Sequence, residues 1–392
     1  VGLDTPYYKI DVKSKYHKMA DVKDKETIYP VLPGHMITFT PHPFVNDSYE
    51  MEEEVWYTFK DEYDKDNQSY YTRDEEQFKH FETEDKGVDY YVNGFRDIVD
   101  TAVDNELISD VPVCTILSGG IDSTIITWLL SKKLKNVEAF VVNVNPLRKT
   151  KYKDDLYYAR MAAKEFGIKL HEVNVDRKDI EKKLKESIWA SETFKWTQVT
   201  PAVAQLFLAE EIEKQGYKVV FGGEGADEIF ASYGDVKRFC WNEPVHWHQK
   251  RINLLNGLHK SNLVRTNKSM MYGGTVELRT PFLNKEVIDF GLRIPTRYRD
   301  ENYEVRENFE YKTTEHSDGN IMKYVLRKAF ENDISEELLW RPKKTFQVGC
   351  HTDYLKTEEP MMYKVFQELF VDGKDYDNFL SDNKSKINLI KK

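Results

Sequence analysis

Residues 111–130 read VPVCTILSGGIDSTIITWLL. An apolar, β-branched run, residues 111–117, ends in a short polar turn, Ser118-Gly119-Gly120-Ile121-Asp122-Ser123. Apolar residues at helical spacing follow at once: Ile125, Ile126, Leu129 and Leu130. The pattern predicts a buried strand, a glycine-rich turn and a helix.

Elementary chemistry gives that turn a use. Adjacent glycines let the backbone bend sharply and approach a ligand. A helix N-terminus offers free N–H groups and a positive dipole end, which favour an anion. Ser118 and Ser123 add hydroxyl donors. Asp122 would repel a bare phosphate, and a divalent cation between carboxylate and phosphate removes that conflict. The turn therefore predicts a polyphosphate site with Mg²⁺. It lacks the Lys of the G-x-x-x-x-G-K-[ST] loop.

From residue 137 onward, strand and helix patterns alternate. Strands are expected at 137–144, 169–175 and 217–221, and helices at 154–166, 180–193 and 201–215, with Gly167 and Gly216 as stops. That alternation predicts an α/β fold, a parallel sheet with helices on both faces. Such sheets bind ligands beyond the strand C-termini. Helices at 253–259, 265–273, 285–292 and 320–331 predict a helical C-terminal layer.

The last strand runs into Gly222-Gly223-Glu224-Gly225-Ala226-Asp227-Glu228. Taken alone, this stretch also fits a solvated acidic loop with Asp227 as a helix cap. Opposite the first turn, Asp227 would supply the second carboxylate that Mg²⁺ commonly takes beside substrate phosphates. A third stretch, Trp340-Arg341-Pro342-Lys343-Lys344-Thr345-Phe346, places cations beside an aromatic pair. A Lys aimed at a phosphate that gains charge stabilises the transition state more than the ground state.

The expected domains are a small β annex at 1–59, a charged linker at 60–86, the main α/β domain at 87–372 and a polar tail at 373–392. The 392 residues, 40% hydrophobic and 32% charged, suit a globular protein. A net charge of -10 argues against a general nucleic-acid surface. No apolar run approaches the ~18 residues of a membrane span. The three cysteines, Cys114, Cys240 and Cys350, are far apart in sequence and fit a reducing, cytoplasmic setting. Cys240, His246 and His248 are irregularly spaced and interleaved with Trp241 and Trp247, so packing is expected there rather than zinc.

Five stretches, LISDVPVCTILSGGIDS, FGGEGADEIF, LVRTNKSMMYGGTVELRTPFLN, KYVLRKAF and LWRPKKTF, carry a resemblance. In their order, over roughly residues 108–346, the chain resembles the synthetase (ATP-pyrophosphatase) domain of the asparagine synthetase B family. The turn at 118–123 is similar to the SGGxDS loop of enzymes that cut ATP between its α and β phosphates. The resemblance implies an adenine nucleotide α-hydrolase-like (PP-loop) fold, with the annex as the remnant of a glutaminase-like (Ntn) domain. It also implies an AMP-forming carbon–nitrogen ligase of amino-acid biosynthesis, using ATP and Mg²⁺. Leu117, Ser118, Gly119, Gly120, Asp122, Ser123 and Gly223 would line the ATP site, and Val142 would meet adenine through its backbone. Asp122 and Asp227 would hold Mg²⁺, Glu224 would serve acyl transfer, and Lys343 would stabilise the charged intermediate.

Partners implied are a carboxylate and ammonia or an amine, with a separate glutaminase chain or a second copy of this chain allowed. No nucleic acid or membrane is expected. Asparagine-forming members carry a Cys nucleophile at residue one, and here residue one is Val. The reading therefore expects no glutamine hydrolysis by that mechanism, and the missing initiator Met allows a longer parent protein. The family usually has Ser where Gly222 stands, Asp where Asn284 stands, and Arg near Thr200, a change that bears on aspartate as substrate. An amide-forming cyclase or tailoring enzyme of the β-lactam synthetase or lasso-peptide type, and a non-catalytic nucleotide-binding subunit, are the alternatives.

Overall fold

The computed structural model describes residues 35–41, 49–55, 62–64, 69–71, 82–145, 153–233, 244–258, 262–298, 322–341 and 345–370, with only the backbone before residue 72. In chain order the strands and helices are β1 (His35–Pro41), β2 (Tyr49–Val55), β3 (Glu62–Asp64), β4 (Ser69–Tyr71), α1 (Val88–Glu106), β5 (Val113–Ile116), α2 (Ile121–Lys133), β6 (Glu138–Val144) and α3 (Asp155–Phe166). Then come β7 (Lys169–Val175), α4 (Arg177–Ser191), α5 (Trp196–Lys214), β8 (Val219–Phe221), α6 (Ala226–Ile229), α7 (Pro244–Asn256), α8 (Asn262–Gly274) and β9 (Glu277–Arg279). The last elements are α9 (Lys285–Leu292), α10 (Tyr324–Ala329), α11 (Glu336–Leu339), α12 (Phe346–Gly349) and α13 (Glu359–Phe370).

Five strands form one sheet in the order β7-β6-β5-β8-β9. Every neighbouring pair is parallel. Strand side chains alternate between faces, and each face has its own core. Ala139, Val141, Val219 and Phe221 join α1, α2, α3, α9 and α10 on one face. Cys114, Ile116, Phe140, Val142 and Val220 join α4, α5, α8 and α13 on the other. Both faces are covered, which is why these strands read as continuous apolar runs.

The chain lays β6 and β7 on one side of β5, then returns to lay β8 on the other. The order reverses between β5 and β8, and there the loops after those two strands open side by side. Thr115 ties the pair at mid-strand: its hydroxyl lies 3.1 Å from that of Thr127 and donates to the Phe221 carbonyl at 3.3 Å.

Three features differ from the sequence reading. A fifth strand, β9, pairs with β8 in register Val220↔Leu278. It is three residues long with one apolar residue, too short for a periodic signal. Helix α5 begins at Trp196, so Pro201 lies inside it rather than at its start. Residues 60–86, expected to be a charged linker, contain the antiparallel pair β3–β4 and end in a docked segment. Tyr63, Tyr70 and Tyr71 supply β propensity among the charges. Glu82 accepts a hydrogen bond from the Thr296 N–H at 2.6 Å and lies 2.9 Å from His248 Nε2. Asp85 accepts from the Tyr298 hydroxyl at 2.6 Å. With Glu82 on one ring nitrogen and Arg251 on the other, His248 is engaged in packing contacts. Cys240 and the tail 373–392 lie outside the described residues. β1 and β2 pair antiparallel, Ile37 opposite Glu53. Among the described residues no helix is long and apolar enough to cross a membrane.

Glu106 closes α1 beside β9. Burial pushes its carboxyl up from the ordinary 4.5 to about 7, against the pull of Arg279 and the Thr280 N–H. Between those two values the folded protein keeps a proton that the unfolded chain has lost. This contribution to stability is full below pH 4.5 and is lost as the pH rises through about 7. Glu106→Gln should therefore match the wild type near pH ~4.5 and exceed it above about pH 8 in urea-denaturation midpoints. Equal midpoints at both pH values would contradict the burial assignment.

Candidate active site

The first loop leaves β5 at Leu117, which is fully buried and donates its N–H to the Phe140 carbonyl at 2.9 Å. Gly119 has φ 71°, a left-handed conformation that favours glycine. A Cβ there would lie 2.8 Å from the Asp155 carbonyl oxygen and from Tyr158 Cβ. The start of α3 thus packs directly on Gly119. At Gly120 a Cβ would meet Ser118 Oγ, at 3.3 Å, a close contact with a small side chain of the same loop. The two hydroxyls expected to face a ligand are turned into the loop. Ser118 Oγ and Ser123 Oγ are 3.0 Å apart, and Ser123 donates to the Gly120 carbonyl at 3.0 Å. No side chain caps α2, so the N–H groups of its first turn have no side-chain acceptor.

The second loop leaves β8 and meets the first, backbone to backbone. A Cβ on Gly223 would lie 2.6 Å from the Ser123 nitrogen and 2.7 Å from the Asp122 carbonyl carbon. Only glycine allows that approach. It brings Asp122 and Asp227 to one cation, the side-chain ammonium of Lys323. Lys323 Nζ lies 2.7 and 2.6 Å from the two Asp122 carboxylate oxygens and 2.6 Å from Asp227 Oδ1. The Lys323 side chain is 1% exposed. Burial alone would lower its proton affinity, but Asp122 and Asp227 outweigh burial and raise it. Ser232 Oγ also donates to Asp227 Oδ1, at 2.5 Å.

Asp122 and Asp227 make a hard oxygen donor set of the kind Mg²⁺ takes, one or two carboxylates with water and phosphate completing the shell, and in this structure the Lys323 ammonium lies between them. Among the described residues no group of three or more His, Cys, Asp or Glu side chains could hold a metal alone.

Glu224 lies on the β9 side of the second loop. Its carboxylate folds back against Gly222, into space that a side chain at 222 would occupy. Oε2 is buried with no hydrogen-bond partner. Burial raises the proton affinity of this carboxyl, Arg265 opposes that, and Glu228 adds to it. Arg265 is itself buried; burial pulls its guanidinium down to about 10, and Glu224 works in the other direction.

Val142 and Ser118 face a cavity of ≈ 10 Å³ with Asp155, Leu208, Phe346 and Cys350. That is room for about one water, so adenine would need the lining to open. Lys343 lies outside the described residues. Its neighbour Arg341 is tied to the first loop: Nη1 donates to the Gly119 carbonyl, and Nη2 meets Asp155 Oδ1 at 2.8 Å. The guanidinium also lies 4.2 Å from the centre of the Tyr158 ring. Sequence reasoning assigned nothing to Lys323 or Arg341; their only signal was membership in the quoted KYVLRKAF and LWRPKKTF stretches. Asn284 caps α9 by accepting the Glu286 N–H at 3.0 Å, which an Asp would also do. Thr200 is fully buried, and its hydroxyl has no hydrogen-bond partner.

The Asparagine synthase family matches residues 94–251 and 240–385. The glutamine-hydrolyzing asparagine synthetase B of Escherichia coli (strain K12) is 28% identical over 308 residues, covering 75% of this chain and 50% of that protein. The glutamine-hydrolyzing asparagine synthetase 2 of Lotus japonicus is 29% identical over 268 residues, 65% of this chain and 42% of that protein. The chain thus spans half or less of the length of these relatives. Among solved structures, the NH3-dependent NAD synthetase from Campylobacter jejuni is 20% identical, covers 39% of this chain and 65% of its own, and has a TM-score of 0.26. The NMN synthetase from Francisella tularensis is 14% identical, with coverages of 69% and 96% and a TM-score of 0.28. Likeness at those scores carries no argument, and the fold rests on the strand order above. The family match contains both glycine loops, Lys323 and Arg341, and it runs over most of the sequence: this chain belongs to the asparagine synthase family.

Proposed function

We propose that this chain activates a carboxylate with ATP, releases pyrophosphate, and passes the acyl group from its adenylate to ammonia or an amine. The observation that carries this reading is the convergence of Asp122 and Asp227 on one buried cation, beside the uncapped start of α2. A carboxylate oxygen of the substrate attacks the α-phosphorus, and the bond to the β-phosphate oxygen breaks. The N–H groups of the first α2 turn orient the phosphates. Asp122 and Asp227 would hold Mg²⁺, which would supply charge neutralisation for a departing pyrophosphate. Lys343, two residues past the Arg341 anchor, serves the charge that grows on the α-phosphate. The nitrogen nucleophile then attacks the acyl carbon, AMP leaves, and Glu224 takes the surplus proton. Its raised proton affinity suits that task. Val142 meets adenine through its backbone, once the small cavity beside it has opened.

A second reading, an amide-forming cyclase or tailoring enzyme with an acid other than aspartate, is favoured by Thr200, an unpartnered hydroxyl where an Arg is usual. A reducing, cytoplasmic setting goes with this reading, and the buried thiols of Cys114 and Cys350 are free.

Pyrophosphate exchange into ATP should depend on one class of carboxylic acid. Aspartate alone supporting exchange selects asparagine formation; another acid selects the second reading; no exchange with any acid removes the proposal. Lys343→Ala should lower kcat by roughly 10²–10³-fold with little change in ATP affinity, measured by single-turnover adenylate formation. Full turnover in that variant would leave only a nucleotide-binding role. Gly223→Ala must push the loops apart and should lower stability by about 1–3 kcal/mol and weaken ATP binding in the same preparation. Unchanged calorimetric affinity would place the phosphates elsewhere.

A further inference from the structure

We infer that Lys323 is a built-in stand-in for the divalent cation, and that metal enters this site only as the lysine side chain leaves it. The inference rests on the proposed metal role of Asp122 and Asp227.

Three observations carry it. First, an ammonium has three N–H donors, and Lys323 Nζ has three carboxylate oxygens within 2.7 Å: both oxygens of Asp122 and Oδ1 of Asp227. The donor set is saturated. Mg²⁺ binds oxygen at 2.0–2.1 Å. An ion between these carboxylates would sit almost on the lysine nitrogen, with like charge, so the two cations exclude each other.

Second, Lys323 has φ 63° and ψ 41°, a left-handed conformation disfavoured for a residue with a Cβ. Such strain persists only where the surroundings hold it. Arg327 holds it here: its Nε donates to the Met322 carbonyl at 2.8 Å and its backbone N–H to the Lys323 carbonyl at 3.0 Å. The backbone is tied on both sides of Lys323 while its side chain lies between the two aspartates.

Third, the charges balance differently with and without substrate. Two carboxylates and one ammonium sum to -1. Free metal must displace a cation that is already in place and covalently tethered. Metal arriving on a polyphosphate brings further negative charge, which gives the displaced ammonium a new partner. Metal entry is thereby coupled to nucleotide entry, and the resting protein discriminates against free divalent ions.

The test is Mn²⁺ binding to the full chain without nucleotide, by calorimetry and by the electron paramagnetic resonance of free Mn²⁺. Lys323→Gly is the first variant, because glycine adopts this backbone conformation freely and relief of strain offsets part of the lost ion pairing. Lys323→Met is the second. Both should bind Mn²⁺ about tenfold or more tightly than the wild type, and Mn²⁺ should raise their Tm more than that of the wild type. Asp227→Asn added to Lys323→Gly should abolish the gain. Variants that bind Mn²⁺ no better than the wild type overturn the inference, as does a gain that survives Asp227→Asn. If the wild type takes up Mn²⁺ with ATP while the variants gain nothing without it, the metal assignment stands and only the lysine's role falls. If the wild type binds no Mn²⁺ even with ATP, the metal assignment falls as well.

Discussion

No side chain fits between the loop that follows β5 and the loop that follows β8. Gly223 lies against the backbone of Asp122 and Ser123 at a distance no Cβ tolerates, and the arrangement of the site descends from that contact. β5 and β8 must be neighbours for the loops to meet, which the reversal of strand order provides. Once the loops meet, Asp122 and Asp227 are brought toward one point. Two carboxylates sharing a poorly solvated site repel each other strongly. A cation between them is then a structural requirement, and Lys323 meets it from more than ninety residues further along the chain.

The same loop is gripped from its other side. Gly119 is held by the start of α3 and by Arg341, whose guanidinium spans from the Gly119 carbonyl to the buried carboxylate of Asp155. Removing one partner of such a buried pair leaves an uncompensated charge and is far more disruptive than loss of a surface pair. The first loop is therefore fixed by three separate parts of the chain: α3, the second glycine loop and the segment around Arg341. Its position does not depend on its own short sequence alone.

What could be read beforehand was whatever repeats. The strand alternation and the helical spacing of α2, α3 and α9 recur over many residues and placed the parallel sheet. The SGG and GGEG turns announced two bends at strand ends, and the general behaviour of parallel sheets put them on one edge. Features with no period were missed. β9 has one apolar residue in three. Pro201 looked like a helix start, yet α5 begins five residues earlier because Val199 packs in the core of that face. Lys323 precedes an apolar helix as many surface lysines do; only its left-handed backbone and two distant aspartates distinguish it. Gly119 has a local reason of its own that the sequence did not show, its left-handed backbone and the start of α3 packed against it.

The face of the sheet formed by Cys114, Ile116, Phe140 and Val142 is completed by Cys350, Leu355, Met362 and Leu369. These residues lie more than two hundred positions after the strands they cover. During synthesis the strands emerge from the ribosome long before that cover exists. Until α13 is made, the nascent chain carries an apolar sheet face with part of its lid missing. Its passage through translation thus coincides with exposed hydrophobic surface, the condition under which chaperones engage a growing polypeptide.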